Sequence, residues 1–113
     1  MILKLQDAKV GAAVIVSVAG RLDGAGAPEI AAHCNTLITG GATRLLLDVA
    51  GVDYISSAGL RSLLVLAKSI KAVHGSLVLC NLSPMVREVL AISGCDQILT
   101  LAVNRAAAIA VLT

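Results

Sequence analysis

The chain has 113 residues, a length that suits one domain able to bury a core without disulfide or metal staples. It is 58% hydrophobic yet contains one Tyr and no Phe or Trp, which excludes the aromatic platform on which single-stranded nucleic acid stacks. Nine basic and seven acidic residues leave a formal charge of +2, and the cations are scattered rather than gathered into a patch suited to a phosphate backbone, so no nucleic-acid partner is expected.

Ile2 to Lys9 alternates loosely and predicts an edge strand. Gly11 predicts a turn, and the Val- and Ile-rich stretch Ala12 to Val18 predicts a second strand paired with the first as a hairpin. Gly20-Arg21-Leu22-Asp23-Gly24 breaks that pattern. Pro28 followed by Glu29 suits the opening turn of a helix. Ile30, Ala31, Cys34, Leu37 and Ile38 recur at helical spacing until Gly40-Gly41 ends the run. Thr43 to Val49, "TRLLLDV", is a short continuous apolar run of the kind found in buried central strands. From Leu60 the pattern turns helical: Leu60, Leu63, Leu64, Ala67, Ile70 and Val73 share one face, closed by His74-Gly75. Ser76 to Asn81 predicts another short buried strand. Ser83 is the predicted N-cap of a short helix over Met85 to Ile92, with Pro84 at its first position and Gly94 stopping it. Ile98 to Val103 predicts a last strand, and Asn104 the cap of an Ala-rich helix.

The order β-β-α-β-α-β-α-β-α predicts an α/β fold: a mixed sheet whose parallel pairs are joined by right-handed helical crossovers. No internal repeat, linker or low-complexity stretch interrupts it. A membrane-spanning helix needs about 20 apolar residues, and the best candidate, Val10 to Gly20, is shorter and reads as a strand. The first residues lack the basic-then-apolar layout of a signal peptide. The expectation is a cytoplasmic protein with no direct membrane insertion. Cys34, Cys80 and Cys95 are widely spaced among apolar neighbours and read as buried small hydrophobes rather than metal ligands. His33 and His74 fall near predicted helix ends, where surface or capping roles are expected. No metal or cofactor is expected.

The stretch "DYISSAGLRSLL", from Asp53, sets two serines and a glycine between strand-like and helix-like runs. In sheets of this class, sites form beyond the carboxyl ends of the strands. Three such loops carry Asp23, Ser56, Ser57, Asn81 and Ser83, which are expected to converge on one surface. Ala58 and Gly59 are expected to keep the approach to Ser57 open. A serine before a helix accepts a hydrogen bond from a free backbone N–H. If Ser56 takes that role, Ser57 occupies the first turn with its hydroxyl toward solvent. Phosphate at that position would be stabilised by the free N–H groups and the helix dipole, and it would add roughly −1.5 to −2 charge to a docking surface. A hydrolase reading competes and ranks last. The Gly-x-Ser-x-Gly elbow lacks its first glycine, and His74 would sit about 20 Å away, at the far end of the predicted helix. "GRLDGAG" fits neither the P-loop nor Gly-x-Gly-x-x-Gly.

"LLLDVAGVDYISSAGLRSLL" resembles the signature of the STAS domain, the family named for sulphate transporters and anti-sigma factor antagonists. "GSLVLCNLSPMVREVLAISGCDQIL" continues the likeness, and "VSVAGRLDGAGAPEI" resembles the second strand, the Gly-x-Leu-Asp turn and the first helix of the family. The resemblance implies one STAS domain over residues 1–113. Its sheet is mixed, with four to five strands, and about four helices pack mainly on one face. It also implies a non-enzymatic regulator that acts by partner switching. The unmodified antagonist binds an anti-sigma factor that is also a serine kinase; phosphorylation releases it, and a phosphatase resets it. The family's acceptor, two residues before the signature glycine, corresponds to Ser57, and Asp23 matches the acidic residue beside that site. The implied partner surface comprises Asp23, Ser56, Ser57, Ala58, Gly59, Asn81 and Ser83. Many antagonists carry Asp-Ser-Ser/Thr-Gly where this chain has Ser56-Ser57-Ala58-Gly59, so one like charge is missing beside a future phosphate. The alternative that the family implies is a cytoplasmic STAS subunit of a membrane lipid or anion transport complex, not phosphorylated. Homodimerisation is left open.

Overall fold

The expected hairpin is present in the computed structural model, which describes residues 3–112. β1 (Lys4–Val10) and β2 (Ala13–Leu22) pair antiparallel, with Val10 opposite Ala13. Gly11 makes the turn at φ 59°, a left-handed conformation that glycine adopts without steric cost. Ile2, expected to open the first strand, lies outside the described residues. α1 (Gly26–Thr39) leads to β3 (Arg44–Ile55), α2 (Ser57–Ala72) to β4 (Ser76–Cys80), and α3 (Pro84–Ser93) through a 3₁₀ turn (Cys95–Gln97) to β5 (Thr100–Ala102). α4 (Arg105–Leu112) follows. The sheet order is β1-β2-β3-β4-β5, with every pair after the hairpin parallel.

Alternation along the strands divides the core into two layers, as the period of two requires. On one face Val14, Val16 and Val18 of β2, Leu45 and Leu47 of β3, and Leu77 and Leu79 of β4 pack with residues of α1, α2 and α3. On the other face Ile15, Leu46, Val78 and Cys80 lie under Ala108 and Leu112 of α4. Three helices against one thus match the expected one-sided packing. The three cysteines are buried and free, as expected of small hydrophobes.

The largest departure from expectation is β3. The apolar run ends at Val49, but the strand continues to Ile55. The β2–β3 register shifts between Ser17 and Ala19 and again between Gly20 and Arg21. At each shift β3 carries one residue more than β2, the signature of a bulge. The buried apolar residues past Leu47 are therefore Val49, Val52 and Ile55, spaced by three instead of two. Helix α2 consequently opens at Ser57, earlier than the apolar pattern from Leu60 suggests.

Candidate functional site

The helix caps place the two serines. Ser56 is extended at φ −103°, ψ 177°, and its hydroxyl accepts the Gly59 N–H at 3.3 Å. Its own N–H donates to the Leu22 carbonyl at 3.0 Å, tying the start of α2 to the end of β2. Leu22 and Ile55 are register partners, so the loops after β2 and β3 begin side by side. Ser57 is the first residue of α2. It is exposed, and none of the hydrogen bonds among the described residues uses its hydroxyl.

Asp23 heads the neighbouring loop. Its Oδ1 accepts the N–H groups of Ala25 at 3.1 Å and Gly26 at 3.0 Å, an Asx turn that launches α1. Its Oδ2 lies 3.5 Å from Arg21 Nε. The Gly26 N–H, with those of Ala25 and the Arg21 guanidinium, holds the carboxyl below its ordinary range against a smaller opposing effect of desolvation. Arg21 also stacks 4.1 Å from the centroid of the Tyr54 ring, a cation–π pairing. Sequence reasoning missed Arg21 and Tyr54. Their signal was available, since Tyr54 is the only aromatic residue in the chain and is more than a third exposed.

Two expectations for this surface need correction. Gly59 is not part of the exposed approach to Ser57: it is buried, and a Cβ there would collide with the Leu22 carbonyl. Its small size lets the first turn of α2 pack against β2 rather than opening the way to Ser57. Ala58 is exposed and helps to line an apolar hollow of about 330 Å³ between α1 and α2, with Ala27, Pro28, Ala31 and Val65.

The second correction concerns Asn81 and Ser83. β4 ends level with Asp48, at the pair Asp48–Cys80, whereas β3 runs on to Ile55. That overhang has a nominal contour of roughly 23 Å at about 3.3 Å per residue. The loop after β4 therefore opens at a different level from the loops that carry Asp23 and Ser57. Asn81, in the left-handed region at φ 59°, donates its side-chain amide to Asp48 Oδ1 at 3.1 Å. The Ser83 hydroxyl is engaged as the N-cap of α3, accepting the Val86 N–H at 3.2 Å.

Asn81 belongs instead to a network around Asp48, a buried carboxylate within β3. Asp48 Oδ1 also accepts the Ala50 N–H at 3.1 Å, and Oδ2 accepts Arg105 Nε at 2.6 Å. Arg105 Nη2 reaches the Ser17 hydroxyl at 2.7 Å. Burial pushes the Asp48 carboxyl up, but Arg105, the Ala50 N–H and Asn81 together hold it below its ordinary range. The signal in the sequence was a lone carboxylate inside "LLLDV", since a buried charge needs a partner. The histidines do not join either group. His33 Nε2 lies 2.7 Å from Asp7 Oδ1, and His74 follows α2 at φ 60°. Among the described residues no cluster of His, Cys, Asp and Glu could hold a metal ion, and no helix is long and apolar enough to cross a membrane.

Residues 4–108 match the family model of the STAS domain. BtrV of Bordetella bronchiseptica, provisionally named an anti-sigma factor antagonist, is 42% identical over 108 residues, covering 96% of this chain and 93% of BtrV. The fold superposes with a TM-score of 0.90 on a Thermotoga maritima crystal structure that carries the same provisional name, at 20% identity, covering 96% of this chain and 93% of the other. It superposes with a TM-score of 0.67 on the phosphorylated form of the Bacillus cell fate determinant SpoIIAA, at 28% identity, covering 88% of this chain and 91% of that one.

Proposed function

The chain belongs to the STAS domain family, and from that premise we propose that it is an anti-sigma factor antagonist switched by phosphorylation of Ser57. The observation that carries this reading is the Ser57 hydroxyl itself. It is exposed at the first position of α2, with capping delegated to Ser56. The likeness to BtrV over nearly the whole chain supports the regulatory class, and the likeness to a phosphorylated neighbour supports the modification.

In this reading the unmodified surface around Asp23, Ser56, Ser57 and Ala58 docks on an anti-sigma factor that is also a serine kinase. The γ-phosphoryl group of ATP passes to Ser57 Oγ. A P–O bond forms there as the β–γ bridging bond breaks, ADP departs, and the hydroxyl proton goes to a base of the kinase. The N-terminus of α2 accommodates the new anion without rearrangement. The docking surface instead gains bulk and charge, so the partner is released. A phosphatase restores the hydroxyl by hydrolysis. The protein supplies the acceptor and the surface, while the catalysis belongs to its partners.

The test is co-purification with the kinase, with phosphate located by mass spectrometry. Ser57→Ala is expected to bind and to stay bound in the presence of ATP, and Ser57→Asp to bind at least about tenfold more weakly. If both variants bind like wild type, the switch is overturned. Stable co-purification with a transport ATPase or permease, with Ser57 unmodified, would instead establish a transport-complex subunit.

A further inference from the structure

α4 differs from the other three helices in what holds it. It has eight residues, fewer than the 12–15 or so that an isolated helix needs for marginal stability in water. Its fully buried side chains are Ala108 and Leu112, with Ile109 half-buried beside them, so only one large apolar side chain is fully buried, whereas α2 buries Leu63, Leu66 and Ile70. The polar anchor is at its first residue, where Arg105 reaches back to Asp48 and Ser17. The link before it, Val103-Asn104, is exposed and follows a strand of three residues.

We infer that α4 is a strap that opens independently of the rest of the fold, with the Asp48–Arg105 ion pair as its catch. The catch is reversible by construction. When Arg105 leaves, Asp48 keeps the Ala50 N–H and the Asn81 amide, so the carboxylate is not stranded. The Arg105 side chain is already 44% exposed and hydrates readily. Opening bares the second face of the sheet: Ile15, Leu46, Val78 and Cys80. It leaves the opposite core intact, because Cys34 and Cys95 belong to the layer beneath α1, α2 and α3. The three thiols therefore report separately on the two faces. With the strap closed, Cys80 is fully buried; desolvation, with Asp48 nearby, pushes its thiol up to about 11. With the strap open, it is a solvated thiol with an ordinary pKa of about 8.5.

The experiment treats the full chain with 5,5′-dithiobis(2-nitrobenzoate) at mildly alkaline pH and locates the labelled thiols by peptide mass mapping. In wild type, Cys80 is expected to react before Cys34, at a rate set by the opening equilibrium. Arg105→Ala is expected to speed Cys80 labelling at least about tenfold and to leave Cys34 unchanged. Leu112→Ala, which removes the one large side chain that α4 buries fully, is expected to act in the same direction. Ser83→Ala, on the opposite face, is expected to leave the Cys80 rate as in wild type. Cys80 rates within about twofold of wild type in both Arg105→Ala and Leu112→Ala would overturn the strap. Equal acceleration of Cys34 and Cys80 would also overturn it, since the opening would then be global.

Discussion

The four residues Ser56 to Gly59 divide the work of the junction between structure and surface. Ser56 holds a free N–H at the start of α2, Ser57 and Ala58 face solvent, and Gly59 lies against the Leu22 carbonyl. Their substitutions should separate cleanly. Ser56→Ala removes the cap and is expected to cost about 1 kcal/mol. Gly59→Ala puts a methyl group into backbone that cannot move aside without separating α2 from β2, at about 1–3 kcal/mol. Ser57→Ala removes a hydroxyl with no hydrogen-bond partner among the described residues and is expected to stay within about 0.5 kcal/mol of wild type. Urea unfolding of the three variants checks the order. A Ser57→Ala loss as large as that of Gly59→Ala would mean that the Ser57 hydroxyl is structural, which is the role opposed to a switch.

Among the elements, those with a single periodicity were legible and the one with two was not. The helix start at Ser83 could be read, and Ser56 could be named as a candidate cap, because a hydroxyl just before an apolar helical face has a simple physical use. The hairpin, the presence of parallel pairs and the last helix likewise followed from alternation and turn residues. β3 could not be read in full. Its first half is buried on both faces and appears as "LLLDV"; its second half is bulged, so that Val49, Val52 and Ile55 fall three apart and resemble neither a strand nor a helix. The error spread to the site, because a strand ending at Val49 would bring Asn81 level with Ser57, whereas one ending at Ile55 separates them. Gly51 makes the bulged half possible, since a Cβ there would meet the Ala19 Cβ at 2.6 Å. Gly51→Ala is therefore expected to loosen the far end of the β2–β3 ladder alone. Amide exchange should quicken at Val52 through Ser56 and stay slow at Leu45 to Leu47. Uniform quickening along β3 would show that its two halves form a single cooperative unit.

For the whole molecule, the sheet separates two surfaces governed by different carboxylates, and acid should reveal both. Asp23 serves the α1–α2 side and Asp48 the α4 side, and each has its pKa lowered in the folded protein. A carboxyl with a depressed folded pKa contributes stability above its unfolded value, about 3.9, and loses it as pH falls through the folded value. Stability is therefore expected to hold from neutral pH down to about 5 and to decline below about 4. The groups facing Asp48 are Arg105 from α4, Ser17 from β2, the Asn81 amide, the Ala50 N–H and the Cys80 thiol on β4. Arg105 stays charged throughout that window, so protonation of Asp48 removes its partner without altering Arg105. Asp48→Asn keeps the shape, discards the charge and is expected to cost about 1–3 kcal/mol at neutral pH. It should also flatten the acid limb, because one of the titrating groups is gone while Asp23 remains. Urea midpoints for wild type and Asp48→Asn, taken from neutral pH to about 3, test this directly. Convergence of the two curves in acid supports the assignment, and curves that stay parallel across the whole range would remove Asp48 from the acid transition.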